Sequence, residues 1–75
     1  MQQAVEAFRE AVERSPENYE AMYNLAETYE KFDTMKAITA WESYISAAHF
    51  VDSEKAFVLR AQSRLVSLSE GRHGR

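Results

Sequence analysis

His49 and Asp52 stand three residues apart in the run His49-Phe50-Val51-Asp52, the spacing at which an imidazole and a carboxylate could begin a metal site. Two ligands in a turn, with no third His or carboxylate held beside them, do not complete one. His49 therefore reads as a turn residue. The serines, Ser43 and Ser53 among them, have no His–Asp framework that would activate a hydroxyl. Two glycines in 75 residues cannot build a loop that cradles phosphate. The carboxylates are spread along polar helix faces, where solubility needs them. No catalytic set, no metal site and no cofactor is expected, and the chain does not read as an enzyme. Arg72, His73 and Arg75 at the C-terminus could touch phosphates or an acidic surface only weakly and in a salt-sensitive way.

Composition narrows the class further. A chain of 75 residues makes one small domain and buries roughly 60% of its unfolded surface. Hydrophobic residues at 45% and charged residues at 28% belong to a folded protein, not a disordered one. The formal charge of -3 argues against a general nucleic-acid binder, which needs a basic face. With no Cys, disulfides and thiolate metal sites are excluded and the redox compartment stays open. No apolar run approaches the ~20 residues of a membrane span. The first residues, MQQAVEAFRE, are not the basic-then-apolar pattern of a signal peptide. A cytoplasmic setting is the default expectation.

The elements that hold these residues are helices. Ala4, Val5, Ala7, Phe8, Ala11 and Val12 recur at i, i+3, i+4 and i+7, one face of a helix over 3–14. Ser15-Pro16 ends it, and Pro16 tolerates the first turn of a second helix over 16–31. Ser15 or Asn18 can cap that helix, and Met22, Leu25, Ala26 and Tyr29 form its apolar stripe. Asp33 or Thr34 caps a third helix over 34–48. Met35, Ala37, Ile38, Trp41, Tyr44, Ile45 and Ala48 make it apolar enough to be buried on more than one side. Trp41 and Tyr44 are therefore packing residues, not a ligand cage. A fourth helix over 53–68, capped by Asp52 or Ser53, turns Phe57, Val58, Ala61, Leu65 and Leu68 inward. Gly71 ends it, and residues 71–75 form a flexible basic tail. Connections this short place neighbouring helices antiparallel. The fold class is all-α.

The chain also repeats. Shifted by about 33 residues, a period typical of helical-hairpin repeats, Ala4, Val5, Phe8, Ala11, Val12 and Pro16 fall on Ala37, Ile38, Trp41, Tyr44, Ile45 and His49. Met22-x2-Leu25-Ala26-x2-Tyr29 followed by Ala37-x3-Trp41 resembles the two helices of a tetratricopeptide repeat, W-x2-L-G-x2-Y and A-x3-F. Ala4-x3-Phe8-x2-Ala11 and Pro16 resemble the second half of a preceding repeat. The resemblance spans Gln3 to Ala48. Three departures stand out: no Gly in the Phe32–Thr34 turn, Tyr44 at a position where a small residue is usual, and His49 where Pro is usual. Helix four fits only loosely and looks like a terminal cap. The implied architecture is a short right-handed α-solenoid of four helices, a half repeat, a whole repeat and a cap.

The same resemblance implies a function, protein–protein interaction through a concave groove lined by the first helix of each repeat. In that groove would stand Glu20, Tyr23, Asn24, Glu27, Glu30 and Lys31 of helix two, at i, i+3, i+4 and i+7 spacing. Helix four would add Ser53, Ala56, Phe57, Arg60 and Arg64. Three carboxylates and a Tyr suit a basic or amphipathic peptide. The alternative is a solvated helix face with Glu27 and Lys31 as an ion pair, worth ~0.3–0.5 kcal/mol. Asn24 matches the Asn with which some family members clamp a partner's terminal carboxylate, but Glu27 and Glu30 would repel one. A competing structural role follows from the missing half repeat: Val5, Phe8 and Val12 on helix one would be left partly uncovered, a face for homo-oligomerisation.

Overall fold

The computed structural model describes the backbone of residues 2–73 and the side chains of residues 3–70. Four α-helices follow one another: α1 (Gln2–Arg14), α2 (Tyr19–Glu30), α3 (Thr34–Ala48) and α4 (Lys55–His73), the last entered through a 3₁₀ turn at Asp52–Glu54. Among the described residues there is no strand. Helix α3 has the bounds that its periodicity gives.

Local chemistry sets the other boundaries. The Asn18 side chain accepts from the Ala21 N–H at 3.1 Å and starts α2, satisfying one of the donors a helix N-terminus leaves free. Pro16 therefore lies in the turn before α2, whereas the sequence placed it in the first turn of a helix over 16–31. Asp33 caps α3 in the same way, through the Lys36 N–H at 3.1 Å. The turn between α2 and α3 closes without glycine: the Phe32 and Asp33 N–H groups both donate to the Tyr29 carbonyl, at 3.0 and 2.7 Å. Among the described residues no φ is positive, so no position in this turn needs the freedom of a glycine.

The start and end of α4 differ from expectation. Neither Asp52 nor Ser53 caps it; Val51 precedes the 3₁₀ turn with no side-chain cap bond, and α-helix begins at Lys55. The helix runs through Gly71 to His73. Glycine in a helix costs about 1 kcal/mol relative to alanine, which weakens a helix without stopping it. Gly74 and Arg75 of the expected tail lie outside the described residues, as do the side chains of Arg72 and His73.

Each helix packs chiefly on its neighbour in sequence, α1 on α2, α2 on α3 and α3 on α4. The core is centred on α3. Trp41 and Tyr44 are its largest fully buried side chains, and Ala26, Ala37, Ala48 and Ala61 are fully buried between helices. Small side chains let the backbones approach, and the two rings fill what remains. Met35 and Phe57, both expected inside, are 56% and 42% exposed. Met35 sits on the first turn of α3 and lines an open cleft with Met22, Leu25 and Tyr29 of α2. Phe57 stands beside Val58, and it is Val58 and Ala61 that face α3.

Candidate functional site

Helices α2, α3 and α4 converge on one ring. Tyr23 meets Trp41 at 4.8 Å between centroids, Tyr44 at 5.4 Å and Phe57 at 5.6 Å, all edge to face. Such pairs add ~0.5–1.5 kcal/mol beyond their burial. Tyr23 is half-buried, so its inner edge completes the core while its outer edge opens into a groove between α2 and α4. It had been expected to face a ligand alone. Its removal would cost stability.

Glu30 is the second correction. Trp41 is fully buried, and its indole N–H donates to Glu30 Oε2 at 2.7 Å. The same carboxylate accepts from Arg64 Nε at 3.1 Å and from Arg64 Nη2. Partial burial alone would raise the Glu30 carboxyl, but the bonds from Arg64 and Trp41 outweigh it and hold the pKa below its ordinary value. Glu30 lifts Arg64 in return, chiefly through the same hydrogen bonds. Both residues were expected to face a ligand. They instead tie α4 to α2 beneath the groove, because a buried indole N–H must find an acceptor.

A parallel contact closes the other end. The Tyr44 hydroxyl donates to Glu54 Oε1. Burial, then the bond and charge of Glu54, push the Tyr44 phenol well above its usual range.

The remaining groove residues divide between two depressions. Glu20, Tyr23 and Asn24 face Glu54 and Phe57 at one end; Tyr23, Glu27 and Glu30 face Arg60 and Arg64 at the other. The Arg60 guanidinium lies 5.6 Å from the centre of the Phe57 ring, a cation–π distance. Lys31 does not line either depression; with Asn24, Glu27, Thr28 and Glu30 it borders Phe8 of α1 instead. Among the described residues the ion pairs are Glu10–Arg14 and Glu30–Arg64. The Glu27–Lys31 pair of the alternative, solvated-face reading is not among them. Glu20 and Glu27 thus keep free carboxylates at the groove's edge.

The expected oligomer face of α1 is partly covered within one chain. Val5 is only 8% exposed, because α1 lies against α2. Phe8 and Val12 are half-buried. One repeat later, Phe8 corresponds to Trp41, which is fully buried because α3 has helices packed on both sides, α2 and α4. Larger apolar side chains stand more exposed elsewhere: Phe50, in the turn after α3, is 81% exposed, and on α4 Leu59 is 61% and Val66 55% exposed.

Phe57, placed by periodicity on the inward stripe of α4 and by the family resemblance in the groove, lines the groove. One groove residue was hard to see in the sequence: Glu54 sits in a 3₁₀ turn whose geometry no periodicity reveals. No described helix is long and apolar enough to cross a membrane.

Residues 7–42 match the family model of the tetratricopeptide repeat, a stretch that runs from α1 through α2 into α3. No curated protein and no solved structure gives a match to the chain.

Proposed function

We infer that this chain, a member of the tetratricopeptide repeat family, is a protein-interaction module that takes a basic or amphipathic segment of a protein partner into the groove between α2 and α4. The observation that carries this reading is the aromatic edge of Tyr23 and Phe57 flanked by the unpaired carboxylates of Glu20 and Glu27. Exposed rings supply apolar anchor points at low entropic cost, and the carboxylates select positive charge and oppose negative. Glu30 and Arg64 support the groove and do not select the ligand, since each already holds the other. The role is binding and not catalysis: the groove's polar groups neutralise one another or face solvent, with no nucleophile set against a base.

The test is selection of peptides from a random displayed library against the folded chain. Recovered peptides should be rich in Lys and Arg next to an aliphatic or aromatic residue. Glu27→Lys, at an exposed position, should leave folding intact and weaken those peptides about tenfold, the equivalent of ~1.4 kcal/mol. Unchanged binding by Glu27→Lys, or recovery of acidic peptides that this variant does not affect, would assign the groove to solvent.

Self-association is a second reading, favoured by Leu59 and Val66 on α4. These positions lie two turns apart on one face. A second copy covering them would give a mass above the monomer that Leu59→Glu abolishes and Phe8→Glu does not.

A further inference from the structure

Another cleft lies on the other side of α2. Its floor is Val12 of α1 with Met22, Leu25 and Tyr29 of α2, and Met35 and Thr39 of α3 close its far wall. The α2 residues that line it occupy the face opposite Asn24 and Glu27, so this cleft and the α2–α4 groove are separate surfaces. Its volume of about 530 Å³ falls within the ~300–1,000 Å³ of ligand pockets.

Three features set its chemistry. First, the floor is apolar and extends onto the α2–α3 turn, where Tyr29 and the 48% exposed Phe32 meet edge to face at 6.2 Å. Second, two methionines line it, Met22 half-buried and Met35 56% exposed. Unbranched thioether side chains repack around ligands of different shape. Third, its charged lining is cationic from both sides, Arg9 on α1 and Lys36 on α3, and no carboxylate lines it. The Lys36 ammonium lies 5.9 Å from the centre of the Tyr29 ring, and neither cation is in an ion pair among the described residues. Arg9 also borders Glu6, Glu10 and Glu13 on the other side of α1, so in a chain of net charge -3 the reversal of sign is confined to the lining of this cleft.

We propose that this cleft between α1 and α3 is a second docking site, for an acidic amphipathic helix of a partner protein. The helix lays its apolar residues on Met22, Leu25 and Met35 and sets carboxylates against Arg9 and Lys36. An apolar floor between two helical walls is the form of a helix-in-groove site, and cations on both walls select an acidic occupant over a basic one. The module then has two faces of opposite charge preference.

The probe is a synthetic helical peptide with Leu at i, i+3, i+4 and i+7 and Glu elsewhere, alongside its counterpart with Lys for Glu. Methyl NMR of Met22 and Met35 reads the cleft directly. The acidic peptide should shift both methyls saturably. Arg9→Glu with Lys36→Glu, both exposed positions, should weaken it about tenfold or more, with helicity confirming the fold. Glu27→Lys should leave it unchanged, which keeps this result separate from the α2–α4 groove. Three outcomes overturn the proposal: no shift at about 1 mM peptide, equal shifts with the Lys peptide, or methyl shifts that follow protein concentration without peptide as the mass rises. The last would assign the cleft to a second copy of the chain.

Discussion

Replacing Glu30 separates its two tasks. Glu30→Ala leaves the Trp41 N–H, in a fully buried ring, with no acceptor, which costs about 1–3 kcal/mol. It also frees Arg64, but the Arg64 side chain is 50% exposed, so solvent screening limits that loss to ~1 kcal/mol or less. The total is about 1–4 kcal/mol. In a domain of this size each kcal/mol lowers Tm by roughly 4–8 °C, so the variant should melt on the order of 10 °C lower. Glu30→Gln keeps an oxygen for Trp41 and loses only the charge; its expected cost is ~1 kcal/mol. Thermal and urea unfolding followed by circular dichroism measure both. The folded pKa of Glu30 lies below its ordinary 4.5. The stabilisation is therefore present above the unfolded pKa and is lost as pH falls through the folded one. Wild type and Glu30→Gln should converge in acid. A Glu30→Ala protein within ~0.5 kcal/mol of wild type at neutral pH, a margin typical of inert surface changes, would refute the reasoning. So would a wild-type advantage over Glu30→Gln that persists undiminished in acid.

Alkaline pH should find Tyr44 last among the four tyrosines. Its folded pKa is raised above 10.0, so its contribution is fully present below the unfolded pKa and is lost as pH rises toward the folded one. Tyrosinate absorbance should show one phenol that ionises only with unfolding, and Tyr44→Phe should remove that step; an ordinary titration of all four would contradict the Glu54 contact. Ala26→Leu should destabilise by about 1–3 kcal/mol through overpacking, because Ala26 is wholly buried where α2 meets the core; a variant as stable as wild type in urea would mean that the crossing is looser than described.

The helices were legible because their apolar residues keep a helical period; for α3 the sequence offered Asp33 or Thr34 as cap, and Asp33 is the one that accepts from the Lys36 N–H. The family was legible in Met22-x2-Leu25-Ala26-x2-Tyr29 and Ala37-x3-Trp41. What periodicity missed were pairings between helices. Glu30 sits on the polar stripe of α2, and nothing local marks it as the acceptor for Trp41. A signal was nonetheless present: the repeat's usual Phe is replaced here by Trp, which brings a donor into the core and requires a partner. The same applies to Tyr44, whose hydroxyl in place of a small residue calls for Glu54. Met35, and Phe57 in so far as it was assigned to the inward stripe, were misplaced because an apolar residue at a helix edge fits the stripe whether or not another element reaches it. The cleft of α1 and α3 depends on the gap between two helices far apart in sequence, which spacing within each helix does not encode.

The succession of neighbour-on-neighbour contacts, α1 to α2 to α3 to α4, has a kinetic consequence. Ordering proceeds through short loops, whose closure costs little entropy. A topology so local is of the kind that folds in microseconds to milliseconds. It also distributes resistance to opening unevenly. An end helix such as α1, held from one side, can detach without disturbing the Trp41 region, whereas α3 cannot leave without unfolding the whole. Amide protons of α3 should thus report the global free energy of unfolding and those of α1 a smaller, local one. The cleft that includes Arg9 and Val12 depends on the helix that separates most readily.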